Sequence, residues 1–189
     1  MNGTPGQVLP SLARPGRPPA RDGARGVTER ILGVDLGERR IGVAVADAGG
    51  GRATPLTTIR RAATIEADAD ALGRIAREQA ATALVVGLPI EASGREGPMA
   101  AAARAWAAAV GERLGLPVTL RDERLTSHLA EQRLGPMKRG RSGGPPSKVQ
   151  RDTYRARVDR EAAAIILQDE IDARAIALHG GAAGTRARG

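Results

Sequence analysis

The chain has 189 residues, a formal net charge of +8, no cysteine, two histidines and a hydrophobic fraction of 41 %. That length suits one ordinary domain and not two large lobes. Disulfides, thiolate zinc sites and histidine clusters are excluded, so any metal must be met mainly by oxygen, the ligand type of Mg²⁺ or Mn²⁺.

Residues 1–30 read as a disordered N-terminal extension. Residues 1–29 hold five of the twelve prolines, five glycines and no apolar period. One reading places the true start at Val27, and an intact mass that includes residues 1–26 would overturn it. No apolar h-region opens the chain and no run nears the roughly 20 residues of a membrane span, so a soluble cytoplasmic protein is expected.

Ile31–Asp35 reads as a short buried strand. Arg40–Asp47 reads as a second, alternating Ile41, Val43 and Val45, with Gly37 to Arg39 as the turn. Pro55–Ile59 is the third. Ile65–Gln79 has Ile65, Leu72, Ile75 and Ala76 at helical spacing. Ala83–Gly87 is a continuous apolar run, as in a central strand covered on both faces.

A loop over 88–97 follows. Met99, Ala103, Trp106, Val110 and Leu114 then trace a helix face. That stripe reads as core packing, with Trp106 buried. Val118–Arg121 is the fifth strand, and a helix runs from about Ser127 to Leu134. Residues 135–150 are Gly/Pro/Lys/Arg-rich and read as a mobile basic loop. Val158–Arg174 is the last helix, with a flexible tail over 175–189. The expected architecture is α/β, one domain over 31–174, a mixed sheet with helices on its faces.

The charge is segregated. Residues 133–157 carry eight Lys or Arg against Asp152, whereas 31–132 together with 158–174 carry fourteen Arg against eighteen acids. Arg-rich segments of this kind serve solubility or contact phosphates, and the segregation favours phosphates.

Three acids stand out. Asp35 lies inside the apolar run ILGVDLG. It shares a strand face with Gly33 and Gly37, and the paired strand offers Gly42, Ala44 and Ala46, so a ligand has room beside it. The alternative is an Asp bonded to turn amides. A buried carboxylate needs amides or a cation. Asp122 and Glu123 end the strand VTLR. Helix-terminal amides explain Asp122, while Glu123 has longer reach and the opposite parity. Asp159 opens the last helix, and its neighbours Ala162, Ala163 and Ile166 place it on the sheet side; a plain helix-dipole role is the alternative. Three carboxylates with phosphate oxygens and water suit Mg²⁺, and two such ions roughly 3.5–4 Å apart support phosphodiester hydrolysis without a histidine base.

GVDLGERRIGVAVAD, VVGLPIEASGREG, RDERLTSHLAEQRL and VDREAAAIILQ resemble the successive motifs of the YqgF family, provisionally assigned as pre-16S rRNA nucleases and also called Holliday-junction-resolvase-like proteins. The resemblance covers about residues 31–174. It implies a ribonuclease H-like fold with a five-stranded mixed sheet, three strands antiparallel and two parallel. Carried over by motif, it implies Asp35, Glu123 and Asp159 as catalytic and metal-binding acids. It also implies maturation of the 5′ end of the small-subunit ribosomal RNA precursor in the cytoplasm, with a DNA role proposed for some members. Three features depart from the pattern. The extension is additional, and Glu91 adds an acid after Gly87-Leu88-Pro89. Related resolvases end that strand with an acid, so here Glu123 must supply the ligand from the next one.

With almost no aromatics, substrate contacts should be phosphate contacts that fix a strand without reading it. Candidates are Arg124, Lys138, Arg139, Arg141 and Lys148, and binding should fall steeply with salt. The expected partner is nucleic acid, ribosomal RNA precursor ahead of branched DNA, bound by a monomer or homodimer; a junction resolvase requires the two-fold dimer. Two competing readings are an actin-type ATPase or sugar kinase, which needs a second lobe, and a non-catalytic nucleic-acid binder.

Overall fold

Alternating apolar residues build one sheet here, and the two faces of that sheet differ in side-chain size. The computed structural model describes residues 29–91, 93–124, 126–138 and 144–183, the last six as backbone. The elements are β1 (Arg30–Leu36), β2 (Arg40–Asp47), β3 (Thr54–Arg60), α1 (Ile65–Glu78), β4 (Ala81–Leu88), α2 (Pro98–Leu114), β5 (Val118–Asp122), α3 (Thr126–Leu134) and α4 (Lys148–Ala183). The sheet order is β3-β2-β1-β4-β5. β1, β2 and β3 pair antiparallel, and β1, β4 and β5 pair parallel. This is the five-stranded mixed, ribonuclease H-like arrangement that the sequence motifs imply.

The bulky face carries Leu32, Val34, Ile41, Val43, Leu84 and Val86. It packs against Leu72 and Ala76 of α1 and Trp106 and Val110 of α2. The other face is lean. Ile31, Ala44, Ala46 and Val85 pack there against Ala163, Ile166, Leu167 and Ile171 of α4. Small residues let α4 settle close. A Cβ on Gly33 would lie 2.6 Å from the carbonyl oxygen of Ala163, and one on Gly42 would lie 2.0 Å from that of Asp159. The lean stripe beside Asp35 is therefore filled by helix backbone, and it does not leave the open ligand space expected from the sequence. α3 packs on the outer side of α4, burying Ala130 against Val158, Ala162 and Ile165.

The last helix begins ten residues before the expected Val158 and runs past Arg174 to Ala183. Its start is a reciprocal cap: Gln150 N–H donates to Ser147 Oγ, and Ser147 N–H donates to Gln150 Oε1. Tyr154 then packs toward α3 and donates to the carbonyl of Gly135. Asp159 is consequently the twelfth residue of α4, and a first-turn dipole role does not apply to it. The expected mobile loop thus gives its last three residues to the helix. The expectation for residues 1–28 lies outside the described residues.

On the bulky face, Asp68 is almost fully buried and ties three elements together. It accepts from Arg61 Nε (2.9 Å), the Ala62 N–H (2.7 Å) and Trp106 Nε1 (3.0 Å), while Arg61 also donates to the carbonyl of Gly37.

Candidate active site

The parallel strands β1, β4 and β5 run side by side, and the acids gather at their carboxyl ends. Asp35 is the sixth residue of β1 and pairs in register with Gly42 of β2. Asp159 sits over that Gly42, its main chain in contact. Glu123 follows the last residue of β5, and its N–H donates to the carbonyl of Leu88. Its carboxylate lies over Gly87, where a Cβ would come within 1.9 Å of Oε2. Two glycines on the strands that flank β1 thus make room, one for the helix that carries Asp159 and one for the carboxylate of Glu123.

These carboxylates are costly where they stand. Burial pushes the Asp35 carboxyl up to about 8, helped by the charges of Glu123 and then Asp159. Burial, with Asp122 beside it, pushes Glu123 up to about 7. Glu123 Oε2 is buried with no hydrogen-bond partner among the described residues. Turn amides do not offset the Glu123 oxygen, which leaves a proton or a bound cation as its compensation. Asp159 is engaged instead by Arg40, whose Nε donates to Oδ2 at 2.5 Å. With Asp159 held there, no group of three acids among the described residues forms a ready metal cage.

The other expected site residues are scattered. Arg124 is half exposed and bonded to Asp122 through both its backbone N–H and its Nε. Asp122 thus serves the turn before α3. Lys138 is exposed beside Met137, Val149 and Tyr154, away from the acids. Lys148 is exposed in the first turn of α4, in a cleft with Arg39, Arg40 and Arg60. Arg139 and Arg141 lie outside the described residues. The extra acid Glu91 faces the start of α2, where a Cβ on Gly97 would meet its Oε1 at 2.3 Å, and Ser93 Oγ donates to its other oxygen. Gly97 itself supplies no side-chain cap to α2, and an acid near a helix N-terminus is favoured by the helix dipole. The sequence reading missed Arg40. The available signal was parity, because Arg40 lies two residues from Gly42 and so on the same face.

The family model described as "RuvX: Holliday junction resolvase" matches residues 29–173. The chain belongs to the RuvX (YqgF) family. A relative from Anaeromyxobacter sp. (strain K), provisionally named a pre-16S rRNA nuclease, is 46 % identical over 146 residues, covering 77 % of this chain and 98 % of that one. A relative of the same provisional name from Chloroflexus aggregans is 42 % identical over 146 residues, covering 77 % and 95 %. Among solved structures, the RuvC of T. thermophilus in complex with a Holliday junction aligns over 77 % of this chain and 95 % of its own, at 14 % identity and a TM-score of 0.45.

Proposed function

We propose that this RuvX-family protein is a divalent-metal-dependent nuclease that trims the 5′ end of the pre-16S ribosomal RNA in the cytoplasm. One observation carries the reading: the buried, unpartnered Oε2 of Glu123, beside an Asp35 carboxyl that burial makes costly to ionise. Two such carboxylates brought together from separate elements fit a divalent cation, which would replace the protons they otherwise hold. The provisional names of the relatives supply the substrate class.

Asp35 and Glu123 would hold Mg²⁺ or Mn²⁺, with Asp159 as the third carboxylate once it leaves Arg40. When bound, such an ion supplies Lewis-acid polarisation of the phosphate and a water of lowered pKa. The chain's own residues do the rest. Gly87 gives Glu123 its place, α4 presents Asp159 over β2, and Arg40 lies ready to take a phosphate oxygen when Asp159 turns away.

The family description favours a second reading, a junction resolvase acting on branched DNA. One experiment separates the two. A labelled ribosomal-RNA precursor fragment and a four-way DNA junction are incubated with wild type and Asp35→Asn, in Mg²⁺, Mn²⁺ and EDTA. Metal-dependent cleavage of the RNA that Asp35→Asn abolishes supports RNA processing. Preferential cleavage of the junction moves the assignment to resolvase, and no cleavage of either removes the nuclease reading.

A further inference from the structure

Two open clefts of about 470 Å³ each adjoin on the β2–β3 side of the acids, within the size range of ligand-holding clefts. Arg39, Arg40, Arg60 and Lys148 line the first, and Arg39, Arg40 and Arg155 line the second together with Asp159. The shared arginines make them one trough. It runs along α4 from its first turn to Asp159, eleven residues on. At about 1.5 Å per residue this is roughly 16 Å, room for several consecutive phosphates.

The charge in the trough is only partly compensated. Arg40 and Arg60 are directly opposite in the β2–β3 ladder, a like-charge pairing that costs stability in a sheet. Arg40 is answered by Asp159. The side chains of Arg39, Arg60, Lys148 and Arg155 make no ion pair among the described residues. Elsewhere, Arg30, Arg104, Arg113, Arg121, Arg133 and Arg174 each have a carboxylate partner, while Arg52, Arg74, Arg77, Arg95, Arg157 and Arg160 make no ion pair among the described residues, so it is the clustering of the trough's cations that sets them apart. The acids on the lining besides Asp159 are Glu38 and Asp152, so four free cations face two acids.

We propose that this trough is the track for the substrate's phosphodiester backbone, which enters past Lys148 and Arg60 and reaches the acids at Arg40 and Asp159. The proposal rests on the nuclease reading and adds the strand's path to it. The contacts are to phosphate, so they position any sequence equally. Arg39, Arg60 and Arg155 become substrate-binding residues, whereas Arg124 does not.

The test is fluorescence polarisation of the full chain with a labelled single-stranded RNA oligonucleotide, in EDTA so that binding is read without cleavage, over a salt series. Wild type, Arg60→Ala/Lys148→Ala and Arg74→Ala are compared. Arg74 is exposed on α1, across the sheet. Each lost single-strand contact flattens the salt slope by about 0.7, which at about 0.1 M salt is roughly fivefold in affinity. The double variant should therefore bind roughly 25-fold more weakly with a slope flatter by about 1.4, while Arg74→Ala should not share that loss. Unchanged affinity and slope in the double variant, with wild type binding, overturn the track and leave the nuclease reading standing. A wild type that binds neither RNA nor DNA overturns both. Should the double variant misfold, Arg39→Ala, in the exposed turn, carries the same comparison.

Discussion

The main-chain carbonyl of Asp159 rests on Gly42 so closely that a single added methyl would lie 2.0 Å from it. Gly42 is also the register partner of Asp35. One residue without a side chain therefore sets the distance between two of the three acids. Gly42→Ala must push α4 off the sheet, since backbone is what it meets. The expected cost is about 1–3 kcal/mol or more. A displacement of Asp159 by about 1 Å would lower cleavage about a hundredfold. Melting curves and cleavage rates should fall together, and full activity in Gly42→Ala would show that Asp159 is not needed where it stands.

Gly87→Ala should behave differently. The atoms its Cβ would meet are Glu123 Oε2 at 1.9 Å and Ile166 Cδ1 at 2.8 Å, both at the free ends of side chains. They can move cheaply, and Glu123 would be turned out of its buried position. The expected result is a melting temperature within a few degrees of wild type but cleavage reduced about a hundredfold, matched by Glu123→Gln. Unimpaired cleavage in Gly87→Ala would remove Glu123 from the site. The contrast with Gly42→Ala separates placing a helix from placing a carboxylate.

Much of this arrangement was legible in the sequence, for a physical reason. Period-2 apolar residues such as Ile41, Val43 and Val45 face one side, and a run such as Ala83–Gly87 is covered on both, so strands and their order in the chain could be read. Asp35, Glu123 and Asp159 stood out because each breaks an apolar context. Three things were hidden. Basic and Gly/Pro-rich composition masks the Ser147–Gln150 cap, so the sequence suggests a helix start at Val158 and a first-turn Asp159, whereas the helix starts at Lys148. The lean face around Gly42 looks like ligand space in the sequence, which shows missing side chains without showing what fills the gap; here it is filled by the backbone of α4. Arg39, Arg40 and Arg60 became a group only through the β2–β3 register, which links residues 20 positions apart.

Asp68 shows the same limit. Its sequence position suggests only a first-turn acid on α1, yet it accepts from Arg61, Ala62 and Trp106 while almost fully buried. Asp68→Ala leaves a buried indole N–H and a backbone N–H unpaired and frees the Arg61 that holds Gly37. The expected loss is about 3 kcal/mol, at the low end for removing one partner of a buried pair because Arg61 keeps contact with water. Denaturant midpoints check it. Trp106→Phe, which removes the donor and keeps the acceptor's other partners, should cost less, and equal losses in both would show that packing and not the bonds decides stability here.

The metal-free protein should lose stability as pH rises. Asp35 and Glu123 move from ordinary values of 3.8 and 4.5 to about 8 and about 7 in the fold. Between about pH 4 and 8 the folded state therefore holds protons that the unfolded chain has released. Unfolding then releases protons, and its free energy falls with rising pH until both groups are ionised above about pH 8. Asp35→Asn removes the larger contribution, so it should melt higher than wild type at pH 8 in EDTA, roughly 5–10 °C for a gain of a few kcal/mol, and should match it near pH 4. Added Mg²⁺ needs the ionised carboxylates, so it should raise the wild-type melting temperature at pH 8 more than at pH 6, and should do little for the variant. Parallel pH profiles for the two proteins in EDTA would mean that Asp35 ionises like an ordinary surface carboxylate, and the argument that its burial calls for a cation would fall with it.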